Sequence, residues 1–427
     1  MPFDIPQARI RQRIAIIGGG ISGLAAAYLL ADQHEITLYE AEPRLGGHAR
    51  TVLAGLRGDQ PVDTGFIVFN YANYPHLTRM FAELEVPVQK SDMSFGASID
   101  GGRVEYGLRD LGSVFGQRRN LLRPGYLRML ADIARFNARA EAVAAEADLS
   151  IGELCDQLGM GAGFRNYYLL PVAGAIWSTP PEQIADFPAR SLLQFFRNHA
   201  LLTMTGQHQW WTVAGGSIEY VRRLTANLAS RGVKLRAGTP VRSVTRGALS
   251  ASVHPAEGGA EAYDQVIFAC HSDVALRLLA QPTSAERRVL GALGYQDNRV
   301  ILHRDEAQMP KRRACWSSWV YKADTRRPRA AIGVTYWMNR LQGIPESDPL
   351  FVTLNPAEPI RDEMIYDEQV FRHPVFDRAA IAAQVEVPAL QGVGRVWFAG
   401  AWARHGFHED GFASAVRVAR EMGRQFA

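Results

Sequence analysis

Cysteine is scarce: only Cys155, Cys270 and Cys315 occur in 427 residues. They lie far apart and follow no redox or metal-ligand spacing. That excludes a disulfide framework and favours reduced thiols in a cytoplasmic setting. No set of histidines, cysteines and acids is spaced like metal ligands either, so no metal is expected. Excess charge is also small. The 47 Lys and Arg against 43 Asp and Glu leave +4, with an isoelectric point near 9.0. The basic residues are dispersed, not gathered in a tail, which argues against a nucleic-acid partner. The opening MPFDIPQARIRQR lacks the apolar core of a secretory signal. The run most like a membrane span, Ile14 to Ala31, is 18 residues long but starts like a strand and contains Gly18-Gly19-Gly20. No transmembrane segment is expected.

What the chain has is core and length. Apolar residues make up 47% and charged residues 21%, enough to build two domains or one elaborated α/β unit. Its organising stretch is RIAIIGGGISGLAAAYLLADQHEITLYEAE, Arg13 to Glu42. Arg13 to Ile17 reads as a buried parallel strand and Ile21 to Ala31 as an apolar helix. Between them Gly18, Gly20 and Gly23 spell G-x-G-x-x-G. A second strand, Glu35 to Tyr39, runs into Glu40, 17 residues after Gly23. Gly18 permits a tight turn, Gly20 lets backbone approach a pyrophosphate, and Gly23 lets helix and strand pack closely. The N–H groups of Ile21 and Ser22 at the helix start would face the phosphates. Glu40 is placed to accept from ribose hydroxyls, which favours FAD or NAD over NADP.

The next residues are more specific. Glu40, Arg44, Gly46, Gly47 and Thr51 form E-x-x-x-R-x-G-G-x-x-x-T, and Val62-Asp63-Thr64-Gly65-Phe66 follows. Near the end, Arg395 to Val418 reads as a strand closing on Phe398-Ala399-Gly400, a loop, and a helix starting near Gly411. This set resembles the flavin-containing amine oxidase and phytoene desaturase superfamily. The resemblance covers essentially the whole chain. It implies non-covalent FAD in a Rossmann-like, glutathione-reductase-type α/β domain with an interleaved α+β substrate domain. The FAD-binding part would be 1–75, 205–280 and 390–427, and the substrate part 76–204 and 281–389. It implies cofactor contacts at Gly18, Gly20, Ile21, Ser22, Gly23, Glu40, Ala41, Arg44, Gly46, Gly47, His48, Thr64, Gly65, Phe66, Val241, Gly400, Asp410, Gly411 and Phe412. In the family, the position of His48 is usually arginine; either Arg50 supplies the missing charge or the pocket is simply less basic.

Between these motifs, Gly107 to Ala147 reads as Arg-rich and helical. Tyr126, Leu127, Leu130, Ile133 and Ala134 recur at helical spacing, with Arg128, Asp132, Arg135 and Arg139 opposite. Such a face suits either a surface helix or peripheral contact with an anionic membrane. Phe164 to Pro188 is apolar and aromatic, interrupted by Pro171, Pro180 and Pro181, and continues through Phe195, Phe196, Trp210 and Trp211. It fits core or an oily cavity. Strands are expected at Gly232 to Val244 (two), Tyr263 to Cys270, Arg299 to His303, Trp316 to Tyr321, Ile332 to Tyr336 and Leu350 to Asn355. The basic cluster Lys311-Arg312-Arg313 reads as a solvated loop.

Departures from the amine oxidase pattern bear on the substrate. The second tyrosine of the aromatic amine cage falls on Gly411, and the lysine near flavin N5 falls near Asn298. The acid after F-A-G is replaced around Trp402. These changes disfavour an amine. His408, Glu409 and Asp410 are the candidate catalytic group, as base or charge stabiliser, with helix capping as the competing role of the two acids. VDTGFIVFN, CHSDVAL and GFHEDG are similar to a narrower bacterial group associated with cyclopropane-fatty-acyl synthase. That resemblance implies desaturation of methyl-branched phospholipid acyl chains. Amine or amino-acid oxidation, carotenoid- or squalene-type desaturation and a non-catalytic lipid escort are the alternatives. The expected partner is a lipid or other apolar small molecule, in the cytoplasm or peripherally on the inner face of the membrane. A homodimer is left open.

Overall fold

A computed structural model describes residues 11–177, 184–198, 208–324 and 333–425. Five parallel strands form its first sheet. They are β1 (Arg13–Ile17), β2 (Glu35–Tyr39), β3 (Lys234–Arg236), β4 (Gln265–Phe268) and β5 (Val396–Phe398), in spatial order β3-β2-β1-β4-β5. All are short; β1, β2, β4 and β5 are buried almost throughout, as strands covered on both faces must be, whereas the edge strand β3 is part-exposed. The helices that matter for the site are α1 (Ile21–Leu30), α2 (Pro75–Glu83), α3 (Pro124–Glu146), α4 (Ile218–Ser230) and α5 (His408–Gln425). Strand order reverses across β1, whose neighbours are β2 and β4. Crevices for ligands form at the carboxyl ends of strands at such a reversal.

The second sheet has seven strands in the order Ile365–Val375, Gly294–His303, Phe351–Leu354, Gly333–Trp337, Trp319–Ala323, Phe95–Ile99 and Val104–Gly107. Every pairing is antiparallel except Trp319–Ala323 with Phe95–Ile99. The strands expected from sequence in this region are present with shifted ends. Ile332 lies outside the described residues. The longest strand, Ile365–Val375, was not expected: its alternation is broken by charges and by Pro374, which cannot donate to a ladder. A three-stranded ribbon pairs Val68–Phe69 and Val88–Ser91 with Trp210–Val213, joining chain from both sides of the expected boundaries.

Helix α3 departs from the expected register. Its buried stripe is Tyr126, Met129, Asp132, Ile133, Phe136, Ala140 and Ala144, while Leu127 and Ala134 face solvent. Asp132 sits in the buried face because its carboxylate accepts from Gly161 N at 3.0 Å and from Arg135 at 2.9 Å. A buried acid with such partners is tolerated where an isolated one is not. The apolar face of α3 is therefore committed to the core, where Phe136 packs against Phe164 and Phe196. The aromatic stretch after residue 164 is core as well: Phe164, Tyr168, Leu169, Ile184 and Phe187 are buried. Pro180 and Pro181 lie outside the described residues, as does the side chain of Phe195.

Candidate functional site

The glycines at the end of β1 are required by contact. A Cβ on Gly23 would lie 1.9 Å from the Gly18 carbonyl oxygen, and one on Gly18 would lie 2.6 Å from the Ala269 oxygen. Gly18 also has φ +115°, where side chains are strained. Gly20 caps α1 without a side chain, and no acid stands in the helix's first turn. The free N–H groups at Ile21 and Ser22 make an anion-attracting end. Gly46 donates to the Gly19 oxygen at 2.8 Å, and a Cβ on Gly47 would lie 3.0 Å from Gly20 Cα. The glycine pair thus lies across the helix start. Arg44 is half-buried beside it and pairs with Glu42 at 3.1 Å.

Glu40 stands at the end of β2, but its two oxygens accept from Gly19 N at 2.6 Å and Glu42 N at 2.9 Å. Each oxygen keeps a second lone pair for a ribose hydroxyl. Ala41 is exposed beside it. Gly238 and Thr239 donate to the Glu42 and Glu40 carbonyls, which brings Val241 to the same end of the groove. At the other end, Gly411 presses α5 onto α1: a Cβ there would meet Ile21 Cγ2 at 2.8 Å and Ser22 Oγ at 2.9 Å. Gly400 donates to Ser414 Oγ at 2.9 Å, and Phe412 is buried one residue past the crossing. Gly18, Gly20, Gly23, Gly46, Gly47 and Gly411 are therefore gathered around the start of α1.

The segment Asp63 to Phe66 does two jobs. Phe66 N donates to the His48 carbonyl at 2.9 Å, and a Cβ on Gly65 would lie 2.0 Å from that oxygen. Thr64 is buried and bonds to Arg50 O. Asp63, however, turns away to hold the N-terminus of α4. It accepts from Ser217 N at 2.8 Å and from Thr51 Oγ1 at 2.6 Å, and Thr51 accepts from Ile218 N. Burial pushes the Asp63 carboxyl up to about 6 against those hydrogen bonds. Thr51 is thus a clamp on α4. Arg50 does not supply the missing charge. It forms a two-pronged pair with Asp367 at 2.6 and 2.9 Å, tying the first motif region to the seven-stranded sheet.

Three histidines meet where the two sheets face each other, and sequence reasoning gave a role to only one. The ring centroid of His48 lies 5.8 Å from His271, 5.6 Å from His373 and 4.8 Å from Phe371. His271 stacks on Tyr295 at 4.6 Å. Burial lowers all three, His48 and His271 to about 4 and His373 to about 3. Arg44 lowers His48 further, and mutual repulsion lowers the other two. All three are neutral near pH 7. Asn298, at the expected lysine position, is buried and bonds His373 Nδ1 at 3.0 Å while accepting from Asn355 at 2.7 Å. His48 Nε2 is buried with no partner. Among the described residues no group of histidine, cysteine and acid could hold a metal. His271 lay inside the CHSDVAL motif; His373 lay in the unexpected strand and gave no signal.

His408, Glu409 and Asp410 do not form one cluster. His408 stacks on Phe66 at 3.9 Å, and its Nε2 meets the buried Tyr220 hydroxyl at 2.9 Å. Burial holds it neutral, down to about 3. Glu409 caps a helix, but α2 instead of its own: it accepts from His76 N at 2.9 Å and Leu77 N at 3.0 Å. Burial nevertheless pushes it up to about 7. Asp410 accepts from Phe407 N at 3.0 Å and closes the first turn of α5. The two acids thus fasten helix ends, and only His408 of the three bears on Phe66.

These placements give two expectations. Gly23→Ala forces a methyl into the Gly18 carbonyl, so the purified variant should lack bound flavin by absorbance, whereas Gly423→Ala, in open space, should keep it. Glu409→Ala should lose about 1 kcal/mol of stability in denaturant melts, the cost of an N-cap, with Glu409→Gln closer to the parent. A Glu409→Gln protein of unchanged stability and no turnover would instead make Glu409 catalytic.

The comparisons agree with this geometry. Residues 21–325 match the family model of flavin containing amine oxidoreductase. A protein of Synechococcus elongatus described as a probable zeta-carotene desaturase is 24% identical over 251 residues, 54% of this chain and 51% of that one. Protoporphyrinogen oxidase 2 of Arabidopsis thaliana is 44% identical over 55 residues, 12% of this chain and 11% of that one. The chain thus spans about half the length of the first and about a tenth of the second. Among solved structures, a fatty acid isomerase from P. acnes superposes with TM-score 0.68 at 15% identity, covering 97% of this chain and 99% of the other. Cyclohexylamine oxidase from Brevibacterium oxydans gives 0.65 at 15%, covering 97% and 100%. Those two likenesses concern the fold. With the glycine groove and the matched length together, the chain belongs to the flavin-containing amine oxidoreductase family, and its cofactor is FAD.

Proposed function

We propose that this protein is an FAD-dependent oxidoreductase that desaturates an apolar lipid, most concretely a methyl-branched acyl chain of a phospholipid. The residues present fit FAD. Gly18 and Gly23 form a cradle that any Cβ would fill, the first turn of α1 carries no acid of its own, and His48 Nε2 is an orphaned polar atom beside the glycine pair. Gly20, Ile21, Ser22, Gly46 and Gly47 would hold the pyrophosphate. Glu40, Ala41 and Val241 would hold the adenosine end, and Gly65, Phe66, Gly400, Gly411 and Phe412 the ring end. When bound, FAD supplies the hydride acceptor.

The observation that carries the substrate reading is the neutral lining. Where the sheets face each other the rings are three neutral imidazoles, Phe371 and Tyr295, with Asn298 at the expected lysine position. The two guanidinium groups beside them are each held by a carboxylate: Arg372, 4.9 Å over the Tyr295 ring, by Asp273 at 3.0 Å, and Arg44 by Glu42 at 3.1 Å. Removing two hydrogens from a saturated carbon pair sends one out as hydride and the other as a proton. His48 bonds the Arg372 backbone, which raises its basicity slightly, and keeps Nε2 free to take that proton. A weak base suffices, because loss of hydride leaves positive charge on the chain and acidifies the neighbouring C–H. Asn298 fixes His373 through Nδ1, so the His373 Nε2–H can donate but not accept. The relative described as a probable zeta-carotene desaturase carries the name of a desaturase, which supports the same class of reaction.

In a host whose phospholipids carry methyl-branched chains, expression should yield chains lighter by two hydrogens in mass spectra. His48→Gln should keep FAD and lose conversion by about a hundredfold or more, the usual worth of a general base. Unchanged chains in cells holding the FAD-loaded protein would contradict the proposal.

A further inference from the structure

Large apolar side chains left in solvent are informative when they gather. Four of them fall in one short stretch: Leu111, Leu121, Leu122 and Leu127 are 74%, 49%, 86% and 42% exposed. They belong to a short helix (Leu111–Val114), a 3-10 turn (Arg118–Leu122) and the first turn of α3. Buried contacts fix these turns to one another. The Tyr126 hydroxyl donates to the Val114 carbonyl at 2.6 Å, and Phe115 packs edge-on against Tyr126. Asn120, between the arginines and the leucines, is buried and donates to the Glu105 carbonyl at 3.0 Å. The turn is therefore rigid, with Leu121 and Leu122 held outward.

The charge around the leucines is as uneven as the hydrophobicity. Residues 101–130 contain Arg103, Arg109, Arg118, Arg119, Arg123 and Arg128, opposed only by Glu105 and Asp110. That surplus equals the formal net charge of +4 of the whole chain. Arg103 pairs with Asp100, Arg109 with Asp110, and Arg128 reaches Asp132 at 4.0 Å. Arg118, Arg119 and Arg123 have no carboxylate partner among the described residues. Arg119 and Arg123 instead donate to backbone carbonyls of residues 102 and 103. Arg123 is lowered by burial and by repulsion from Arg119, Arg103 and Arg312, so these guanidinium groups share one small region.

We infer that this face docks on an anionic phospholipid bilayer, with Leu121 and Leu122 entering the acyl boundary and the unpaired arginines meeting lipid phosphates. Exposed aliphatic side chains flanked in sequence by arginines that have no carboxylate partner match a layer that is apolar within and anionic at its surface. Among the described residues no helix is long and apolar enough to cross a membrane, so the contact is one-sided. The docking element is the turn before α3, since the apolar stripe of α3 itself is buried. The inference is independent of what the flavin oxidises.

The test is flotation of the FAD-loaded full chain with phosphatidylcholine vesicles, with and without phosphatidylglycerol, at low and high salt. The protein should float with the anionic vesicles and be released by salt. Leu121→Ser/Leu122→Ser, both exposed, should keep FAD and melting temperature while partitioning falls about a hundredfold. Arg118→Gln should weaken binding about fivefold and only with anionic vesicles. Equal flotation of parent and leucine variant, or no flotation of the parent on anionic vesicles, would overturn the inference. So would a parent oligomer that the leucine substitutions dissolve without any vesicle binding, which would make the face a contact between copies of the chain.

Discussion

The structure depends on one close approach: backbone against backbone at the start of α1. Gly23 packs against the Gly18 carbonyl, Gly47 against Gly20, and Gly411 brings the start of α5 onto Ile21 and Ser22. A side chain at Gly23 or Gly47 would meet backbone, and one at Gly411 would meet the Ile21 and Ser22 side chains, so three segments apart in sequence converge at the start of α1. Two helices begin there. The first turn of α1 has no acid and is left for a phosphate, whereas that of α5 carries Glu409 and Asp410. Nature of the end decides its use: an uncapped N-terminus attracts an anionic ligand, and a capped one is already satisfied.

Around this groove, polar residues that look catalytic in sequence mostly fasten elements together. Asp63 and Thr51 hold α4, Glu409 holds α2, Asp410 closes α5, and Arg50 reaches across to Asp367. Each satisfies backbone or charge that would otherwise be buried unpaired, a larger cost than most surface pairs return. The rings of His48, His271 and His373 are different: they gather at one place, and His48 keeps a buried Nε2 with no partner. Their neutrality comes first from burial, then from the charge of Arg44 beside His48 and from repulsion by neighbouring rings at His271 and His373, so it is a property of the assembled site and of no single residue.

That difference explains what could be read in advance. Glycine positions are legible because the contact that excludes a side chain leaves a fixed spacing, and β1, α1, β2 and the closing strand and helix stand close to where that spacing puts them. The α3 register was misread because Asp132 looks like a surface residue until Gly161 and Arg135 are seen to satisfy it. His373 was invisible because its strand carries charges and a proline, and because its partners are 75 and more residues away at Asn298 and His271. Capping by Glu409 could be foreseen in kind but not in target, since α2 lies 332 residues earlier. Long-range satisfaction of polar groups leaves little local pattern.

The central claim is that a neutral, histidine-lined site beside the FAD groove accepts an alkyl chain instead of an amine. Anaerobic mixing of the FAD-loaded protein with vesicles of methyl-branched phospholipid, followed through the visible flavin absorbance, tests it most directly. Bleaching by the lipid and none by a panel of amines is the predicted result. Bleaching by an amine, with the lipid inert, would contradict it.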